Sequence, residues 1–380
     1  MSKDALQSLR YPEFRNYILA RFFFILVLNM QATLILWKVY ELTRDPLSIG
    51  TLGIVEFVPA CIMAFYSGHV IDKSDKRNLL LKSVGGNFML TALLCFFTSA
   101  YAVAHFTHTW LLLSIYFVVF GTGILRSFSG PTSFALLSHL VPRNLLSNAT
   151  LWHSGSWQVG AVTGPALAGL LYGSIGITNT FYLMLILMSI ALAGLVFIKP
   201  KPFIGERRQE AFLESLIQGF RFVWHSKEVL GALSLDLFAV LFGGATALLP
   251  VFADKILHVG PEGLGMLRSA PALGSVVILM MLTFKPLKRK QGTIMLLCVA
   301  GFGMCMIAFG LSTVFWLSML ALFISGILDG VSVIVRSTIL QLKTPDEMRG
   351  RVAALNSIFI MSSNELGAAE SGVAAKLLGT

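Results

Sequence analysis

The chain has 380 residues and a formal net charge of +10, with 56% hydrophobic and only 13% charged residues. Because soluble domains carry about 25% charged residues, this composition excludes an ordinary soluble protein. Apolar segments of roughly 20 residues recur along the chain, and that is the length a helix needs to cross a bilayer. The alternating apolar and polar residues of membrane β-barrels do not occur in it. We therefore expect an all-α, multi-pass membrane protein.

Eleven apolar segments are predicted to form membrane-spanning helices. In chain order they are residues 17–38, 49–71, 84–104, 109–139, 152–173, 178–198, 229–252, 263–284, 292–312, 315–340 and 352–378. The longest polar segment, residues 199–228, lies between the sixth and the seventh. It begins with prolines and then carries apolar residues on one helical face, so we interpret it as a linker with an amphipathic helix at the membrane surface. These residues are Phe212, Leu216, Phe220 and Val223.

This linker divides the chain into an N-terminal six-helix bundle, residues 1–198, and a C-terminal bundle, residues 229–380, in which five helices are present. Most of the 29 lysines and arginines lie at the N-terminus or in the loops that follow the even-numbered spans. By the positive-inside rule, the N-terminus, the linker and these loops are predicted to be cytoplasmic. Topology therefore accounts for the positive charge, and no nucleic-acid partner is expected.

An internal repeat relates the two bundles. The segment FGTGIL at 120–125 matches FISGIL at 323–328, with an offset of 203 residues. The same offset pairs Pro142 with Pro345, Gly164 with Gly367 and Gly169 with Gly372. Parallel repeats about an axis along the membrane normal are typical of transporters built from two halves. We expect two six-helix bundles related by a pseudo-two-fold axis, with the twelfth helix missing.

The loop after the second span, GHVIDKSDKR at 68–77, resembles the G-x-L-x-D-r-x-G-r-r signature of the major facilitator superfamily. The matching residues are Gly68, Asp72, Lys76 and Arg77. Asp75 stands where the signature has a glycine. The resemblance implies that Asp72 meets the positive end of the eleventh span and latches the two halves together, a helix-dipole contact worth about 0.3–1 kcal/mol.

The eleventh span begins after PDEMRGR at 345–351, so Arg349 and Arg351 complete the predicted cytoplasmic gate. The alternative is a solvated loop that only sets topology.

A second segment, GAVTGPALAG at 160–169, resembles the G-x-x-x-G-P-x-x-G-G element found mainly in exporters of that superfamily. The matching residues are Gly160, Gly164, Pro165 and Gly169. Small residues let a neighbouring helix approach closely. We expect that neighbour to be the eighth span, which has its own small face at Gly265, Ser269 and Ala272. Ordinary helix packing without an export role is the alternative.

Three segments of the second half resemble the transmembrane secretion effector group of the superfamily, which includes an enterobactin exporter and drug:proton antiporters. They are SLDLFAVLFGGATALLPVFADKILHVG at 234–260, LQLKTPDEMRGRVAALNSIF at 340–359 and SSNELGAAESGVAA at 362–375. The resemblance implies the major facilitator fold, twelve spans, and a location in the bacterial inner (plasma) membrane with a cytoplasmic N-terminus. We also expect a monomer.

Charged residues at membrane depth are costly and are candidates for function. A carboxyl in a low-dielectric site can load and release a proton as its access alternates. In order of preference, the candidates for proton coupling are Asp236, Glu56, Glu370 and Glu365. The repeat places Arg126 and Asp329 at equivalent positions, where they either face a common substrate cavity or form structural contacts. The arginines at 21, 268 and 336 are expected to extend toward the membrane surface.

These features predict a secondary transporter that exports a small amphipathic or apolar molecule by proton antiport with alternating access. A siderophore or lysolipid exporter of the same fold, or a non-transporting receptor or scaffold, are the alternatives. No cluster such as HxxxD or paired His and Asp ligands suggests an enzyme or a metal site. The nucleotide-binding loop GxxxxGK[ST] does not occur in the sequence, so we expect a proton gradient rather than ATP or another cofactor as the energy source.

Overall fold

A computed structural model describes residues 6–200, 212–284, 291–345 and 348–379. Within these ranges it leaves out the side chains of residues 65, 69, 72, 212–216, 283–284, 349–350 and 354.

Seven helices make up the first half of the chain. They are α1 Pro12–Thr43, α2 Pro46–Lys73, α3 Lys76–Phe97, α4 Ala100–His105, α5 His108–Leu137, α6 Leu146–Ile175 and α7 Ile177–Val196. Their ends follow from local chemistry. Pro12 and Pro46 open α1 and α2, where a missing N–H costs nothing. The Asp75 carboxylate caps α3 by accepting the Asn78 N–H at 2.8 Å.

The second half continues with α8 Phe212–His225, which lies in the predicted linker, and with the helices of the remaining predicted spans. These are α9 Lys227–Phe242, α10 Leu249–Val251, α11 Gly260–Phe284, α12 Gln291–Leu311, α13 Phe315–Lys343 and α14 Arg349–Leu378. Each of the eleven predicted segments is thus largely helical, but the third, residues 84–104, is divided between α3 and the short α4. Within the described ranges, nine helical stretches are long and apolar enough to cross a membrane. Helices α6 and α14 have 30 residues each but carry many glycines, serines and polar residues, which lowers their hydropathy.

The seventh predicted span, residues 229–252, is interrupted rather than continuous. After α9 the chain forms a 3₁₀ turn, Gly244–Leu248, then the short α10 and a π-helical turn, Phe252–Ile256. Gly244 packs against the backbone of Gly367 in α14, so this position has no room for a side chain. The break therefore lets the chain turn where α9 meets α14.

Helix α8 lies within the predicted linker, and of its expected apolar face only Phe220 and Val223 have described side chains, whereas those of Phe212 and Leu216 lie outside the described residues. Val223 is buried in a cluster with residues of α9, α13 and α14. Phe220, expected on the same face, is 50% exposed and stacks with Trp224 at a centroid distance of 6.0 Å. Gly219 packs against Arg351 and Leu355, so the buried face is that of Gly219 and Val223.

The chain divides into two compact units: the first is Met1–Leu42 with Val58–Arg207, and the second is Thr43–Phe57 with Arg208–Thr380. The change of unit at 207/208 lies within the predicted linker. The start of α2, however, was expected in the N-terminal bundle and instead belongs to the second unit. Close packing explains this, because a Cβ on Gly372 of α14 would lie 2.9 Å from the Gly50 Cα.

In the first unit, the glycines of the 160–169 segment pack against α1. A Cβ on Gly160 would lie 2.7 Å from Ile25 Cγ2, and one on Gly164 would lie 2.6 Å from Asn29 Cβ. The contact expected with the eighth span, which belongs to the second unit, stays a prediction. In the second unit, the repeat partner Gly367 packs in the same way against the Val240 and Leu241 carbonyls of α9.

Candidate functional site

A buried ion pair joins α9 and α13 in the second unit. The carboxylate of Asp236 binds the guanidinium of Arg336, and their side chains are 7% and 4% exposed. Asp236 was the first candidate for proton coupling, and its position inside the unit is consistent with that role. Arg336 does not extend to the membrane surface as expected, because it is held by Asp236. The charges of the two groups cancel.

Three polar residues follow one face of α13 near this pair. Asp329, Ser332 and Arg336 are spaced at i, i+3 and i+7, which places them on the same side of a helix. Asp236, Asp329 and Ser332 also line one cleft, which has about 240 Å³ of open space. Its remaining lining residues are Ala239, Val240, Cys298, Val299, Phe302 and Leu328. Only about 10 Å³ of this space can hold the centre of a water-sized group, so the cleft suits a proton, a single water or a small ion.

The polar groups of this cleft are incompletely satisfied by the protein. The Ser332 hydroxyl and the Arg336 Nε are buried without a hydrogen-bond partner among the described residues. No described side chain forms a hydrogen bond or ion pair with Asp329. Since Asp236 and Arg336 neutralise each other, the ionised cleft carries one excess negative charge, that of Asp329. Buried polar groups of this kind usually have a partner, so the cleft is suited to bind a proton, water or a small cation.

A second charge cluster in the same unit joins α2, α11 and α14. Arg268 interacts electrostatically with Glu56 and Glu365, and all three side chains are half-buried. A Cβ on Gly53 would lie 3.1 Å from Oε2 of Glu365, which shows how closely α2 passes α14. Arg268 is therefore part of a charge cluster and not the surface-directed residue that we expected. Two carboxylates share one arginine, so this cluster also has a negative charge in excess.

The remaining candidates lie outside these two clusters. Glu370 is exposed, and its carboxylate is 3.5 Å from the Ser371 hydroxyl. Arg126 is an exposed residue of α5 in the first unit, whereas Asp329 belongs to the second. The hypothesis that Arg126 and Asp329 face one cavity therefore stays a prediction.

The first unit contains a polar network that the sequence did not reveal. The Tyr17 hydroxyl lies 2.7 Å from both the carbonyl and the hydroxyl oxygen of Ser133, and 2.9 Å from Nδ1 of His153. Arg21 donates from Nη1 to the Ser133 hydroxyl at 2.8 Å and from Nε to the His153 carbonyl at 3.2 Å. Arg21 was expected to extend toward the membrane surface. The i, i+4 spacing of Tyr17 and Arg21 is the signal that could have indicated a shared site.

The predicted cytoplasmic gate is described only in part. The side chains of Asp72 and Arg349 lie outside the described residues, so the latch stays a prediction. Lys76 donates to the Ile71 carbonyl at the end of α2. Arg77 donates to the Leu195 and Val196 carbonyls at the end of α7, at 3.2 and 2.8 Å. Both bases thus bind the negative ends of helices in their own unit.

Gly68 and Arg351 are the other residues of the predicted gate whose surroundings are described. No described atom lies within 4 Å of the point that a Cβ on Gly68 would occupy. Arg351 donates to the Met348 sulfur at 3.2 Å. These observations do not test whether Gly68 and Arg351 are part of a gate.

Comparisons with known proteins identify relatives of this chain. The chain is 26% identical over 363 residues to the enterobactin exporter EntS of Shigella boydii serotype 18 (strain CDC 3083-94 / BS512), covering 95% of this chain and 85% of the relative. It is 25% identical over the same length to the EntS protein of Escherichia coli O81 (strain ED1a), with the same coverage.

Solved structures share the fold at lower identity. A bacterial homologue of the iron transporter ferroportin, crystallised in an inward-facing state, has a TM-score of 0.72 at 15% identity and covers 97% of this chain and 94% of its own. A bacterial homologue of the human lysosomal transporter Spinster has a TM-score of 0.69 at 16% identity, covering 99% of this chain and 83% of its own. A family model for the major facilitator superfamily matches residues 17–368. The chain therefore belongs to the major facilitator superfamily.

Proposed function

We propose that this multi-pass membrane transporter exports a small amphipathic molecule in exchange for protons, and that Asp329 carries the proton. Membership of a transporter superfamily and relatives named as exporters support the direction of transport. The observation that carries the proposal is the charge of the cleft on α9 and α13. The cleft is lined by two acids, Asp236 and Asp329, and only Asp236 is paired with an arginine.

The physical reason lies in the cost of charge at membrane depth. An ionised carboxylate without a partner is strongly unfavourable in a low-dielectric site, whereas its protonated form is neutral. Proton binding to Asp329 therefore makes the cleft neutral, and proton release restores its negative charge. A transporter whose two conformations differ in the water access of this group binds a proton on one side and releases it on the other.

Arg336 is positioned to respond to this change. It lies two helical turns after Asp329, and side chains in a helix tilt toward its N-terminus, so its guanidinium leans toward the cleft. The unused Nε of Arg336 is a donor that ionised Asp329 could attract through water. The ion pair with Asp236 would weaken in that state, which links protonation to the contact between α9 and α13.

The test is uphill efflux of the fluorescent amphipath phenylnaphthylamine from cells that lack their own efflux pumps. We expect the wild-type chain to lower cellular dye, and an uncoupler that collapses the proton gradient to abolish this effect. Asp329→Asn should lose uphill efflux at least tenfold but keep downhill equilibration of the dye, because only the coupling group is missing. Glu262→Gln, which neutralises an exposed acid at the start of α11, is the matched control and should behave as wild type.

Two outcomes would count against the proposal. One is wild-type efflux that persists without a proton gradient, and the other is uphill efflux by Asp329→Asn at the wild-type rate. Loss of both uphill and downhill movement in Asp329→Asn, with normal protein levels, would assign Asp329 to cargo binding instead.

Export of a siderophore is the second candidate function, since two relatives are named enterobactin exporters. Siderophore in the medium of iron-starved cells, measured with and without the chain, distinguishes it from general amphipath export.

We also propose that the N-terminus and the even-numbered loops face the cytoplasm of a bacterial inner membrane and that the protein acts as a monomer. Single cysteines at positions 75 and 288 that react with an impermeant reagent from outside intact cells would overturn this orientation.

A further inference from the structure

The two units differ in the charges that their helices carry within the membrane. In the first unit, α3, α5, α6 and α7 contain no Asp or Glu, and α1 has acids only in its first and last turns. The same helices carry two arginines far from their ends, Arg21 and Arg126. The second unit has the opposite balance, with five acids and two arginines at comparable depth. The first unit is thus the positive half of the membrane region.

Arg21 is a cation whose described partners are all neutral. Its Nε and Nη1 donate to the His153 carbonyl and the Ser133 hydroxyl. A guanidinium has five N–H donors, so these two hydrogen bonds leave Nη2 without a described acceptor. A charge that is partly removed from water normally has a counter-ion or a functional reason to lack one.

This guanidinium opens onto a cleft. Tyr17, Arg21 and Ser133 line it, together with Ala20, Phe24, Leu80, Val84 and Leu195. The cleft has a cavity volume of about 10 Å³, with polar groups at one wall and aliphatic and aromatic side chains at the others. This space admits part of an acidic group rather than a whole molecule, and the apolar side chains beside it suit an apolar body that stays outside the cleft.

We propose that the Arg21 cleft binds the acidic group of the cargo, so that the exported molecule is an amphipathic anion bearing a carboxylate, sulfonate, phosphate or phenolate. Nη2 of Arg21 donates to the anion, because Nη1 and Nε are held by Ser133 and His153, which fix the plane of the guanidinium. Tyr17 anchors the same two residues through its hydroxyl group. This inference rests on the proposed export function and names the class of its cargo.

Binding of two matched dyes to the full chain in lipid nanodiscs tests the inference, with the signal of empty nanodiscs subtracted. Anilinonaphthalene sulfonate is an amphipathic anion, and phenylnaphthylamine has the same ring system without the acidic group. We expect the sulfonate to bind the wild-type chain more tightly than the neutral dye. Arg21→Gln should weaken sulfonate binding about tenfold or more, the usual effect of losing a charged hydrogen bond, and leave the neutral dye unchanged. Arg143→Gln removes a positive charge from a loop and is the matched control.

A second variant covers the case that Arg21→Gln does not fold. Arg21→Lys keeps the charge but not the fixed donors, so it should prefer the sulfonate with reduced affinity. Equal binding of both dyes by the wild-type chain, no binding of the sulfonate, or the same loss in Arg143→Gln as in Arg21→Gln would each overturn the inference. Because binding needs no proton gradient, selective binding without proton-driven efflux would refute the export proposal alone. Proton-driven efflux without selectivity for the anion would refute the Arg21 site alone.

Discussion

At the scale of residues, the Asp236–Arg336 pair is distinguished by its surroundings rather than by its chemistry. The same two helices carry a second ion pair, Lys343–Glu228, with an Nζ–Oε1 distance of 3.0 Å and side chains that are more than half exposed. Water and salt screen the exposed pair, whereas the buried pair lacks that screening. Removal of one partner should therefore have very different effects at the two places.

Asp236→Asn should lower the free energy of unfolding by about 3–5 kcal/mol, because Arg336 is left buried without its counter-ion. The double variant Asp236→Asn with Arg336→Met should recover most of this loss, since no charge stays unpaired. Denaturation in mixed micelles with increasing SDS provides the measurement, and Glu228→Gln is the control that should leave stability unchanged. Equal stability of Asp236→Asn and the wild-type chain would show that Arg336 finds another partner.

The polar face of α13 can be read from the sequence, whereas the helix that contacts it cannot. The spacing of Asp329, Ser332 and Arg336 was available from the sequence alone, but the contact of Arg336 with Asp236 depends on how α9 packs. Arg21 was assigned to the membrane surface for the same reason. Hydropathy gives the depth of a residue along its own helix, whereas its partners come from helices that are distant in the chain.

At the scale of elements, the glycines of α6 and α14 show what small residues do in this fold. The 160–169 segment predicted a close helix contact correctly, but the pattern of small residues does not say which helix approaches. In the first unit that helix is α1, and the backbone of Leu26 lies 3.0 Å from the point that a Cβ on Gly164 would occupy.

Prediction of the helices themselves succeeded because apolar length and terminal prolines are local signals. The break after α9 was missed because it results from packing of Gly244 against α14.

Gly164→Val should destabilise the chain by roughly 1–3 kcal/mol, because the added methyl groups must push α6 away from α1. Gly155→Ala on the same helix is the matched control, since no described atom lies within 4 Å of its added Cβ. The yield of monodisperse protein and its melting temperature report the difference. If both variants melt together with the wild-type chain, α1 and α6 are not in the close contact described above.

At the scale of the whole molecule, α2 is the element that belongs to both units. It runs without interruption from Pro46 to Lys73, and the boundary between the units falls between Phe57 and Val58. Its first part is held in the second unit by the Glu56, Arg268 and Glu365 cluster and by the contact of Gly50 with α14. Under the proposed function, we expect this contact between the start of α2 and α14 to open during the transport cycle.

A disulfide between Gly50→Cys and Ala369→Cys should abolish transport, and reduction should restore it. The Cβ position of Gly50 lies 3.2 Å from the Ala369 Cα, which is close enough for such a bond. The four native cysteines, Cys61, Cys95, Cys298 and Cys305, must first be replaced. Each single cysteine variant under the same oxidation is the control. Full transport with the cross-link formed would mean that α2 bends at Pro59 instead, so that its first part stays with the second unit throughout the cycle.

Helix α8 adds a dependence on the surrounding lipid. Its exposed aromatic pair, Phe220 and Trp224, consists of side chains that favour the headgroup layer of a bilayer. Its opposite face is packed against the start of α14 through Gly219. Tighter or looser headgroup packing therefore acts on the same helix that carries Glu365, about four turns further along. Under the proposed function, we therefore expect the lipid composition of the bilayer to influence the rate of transport.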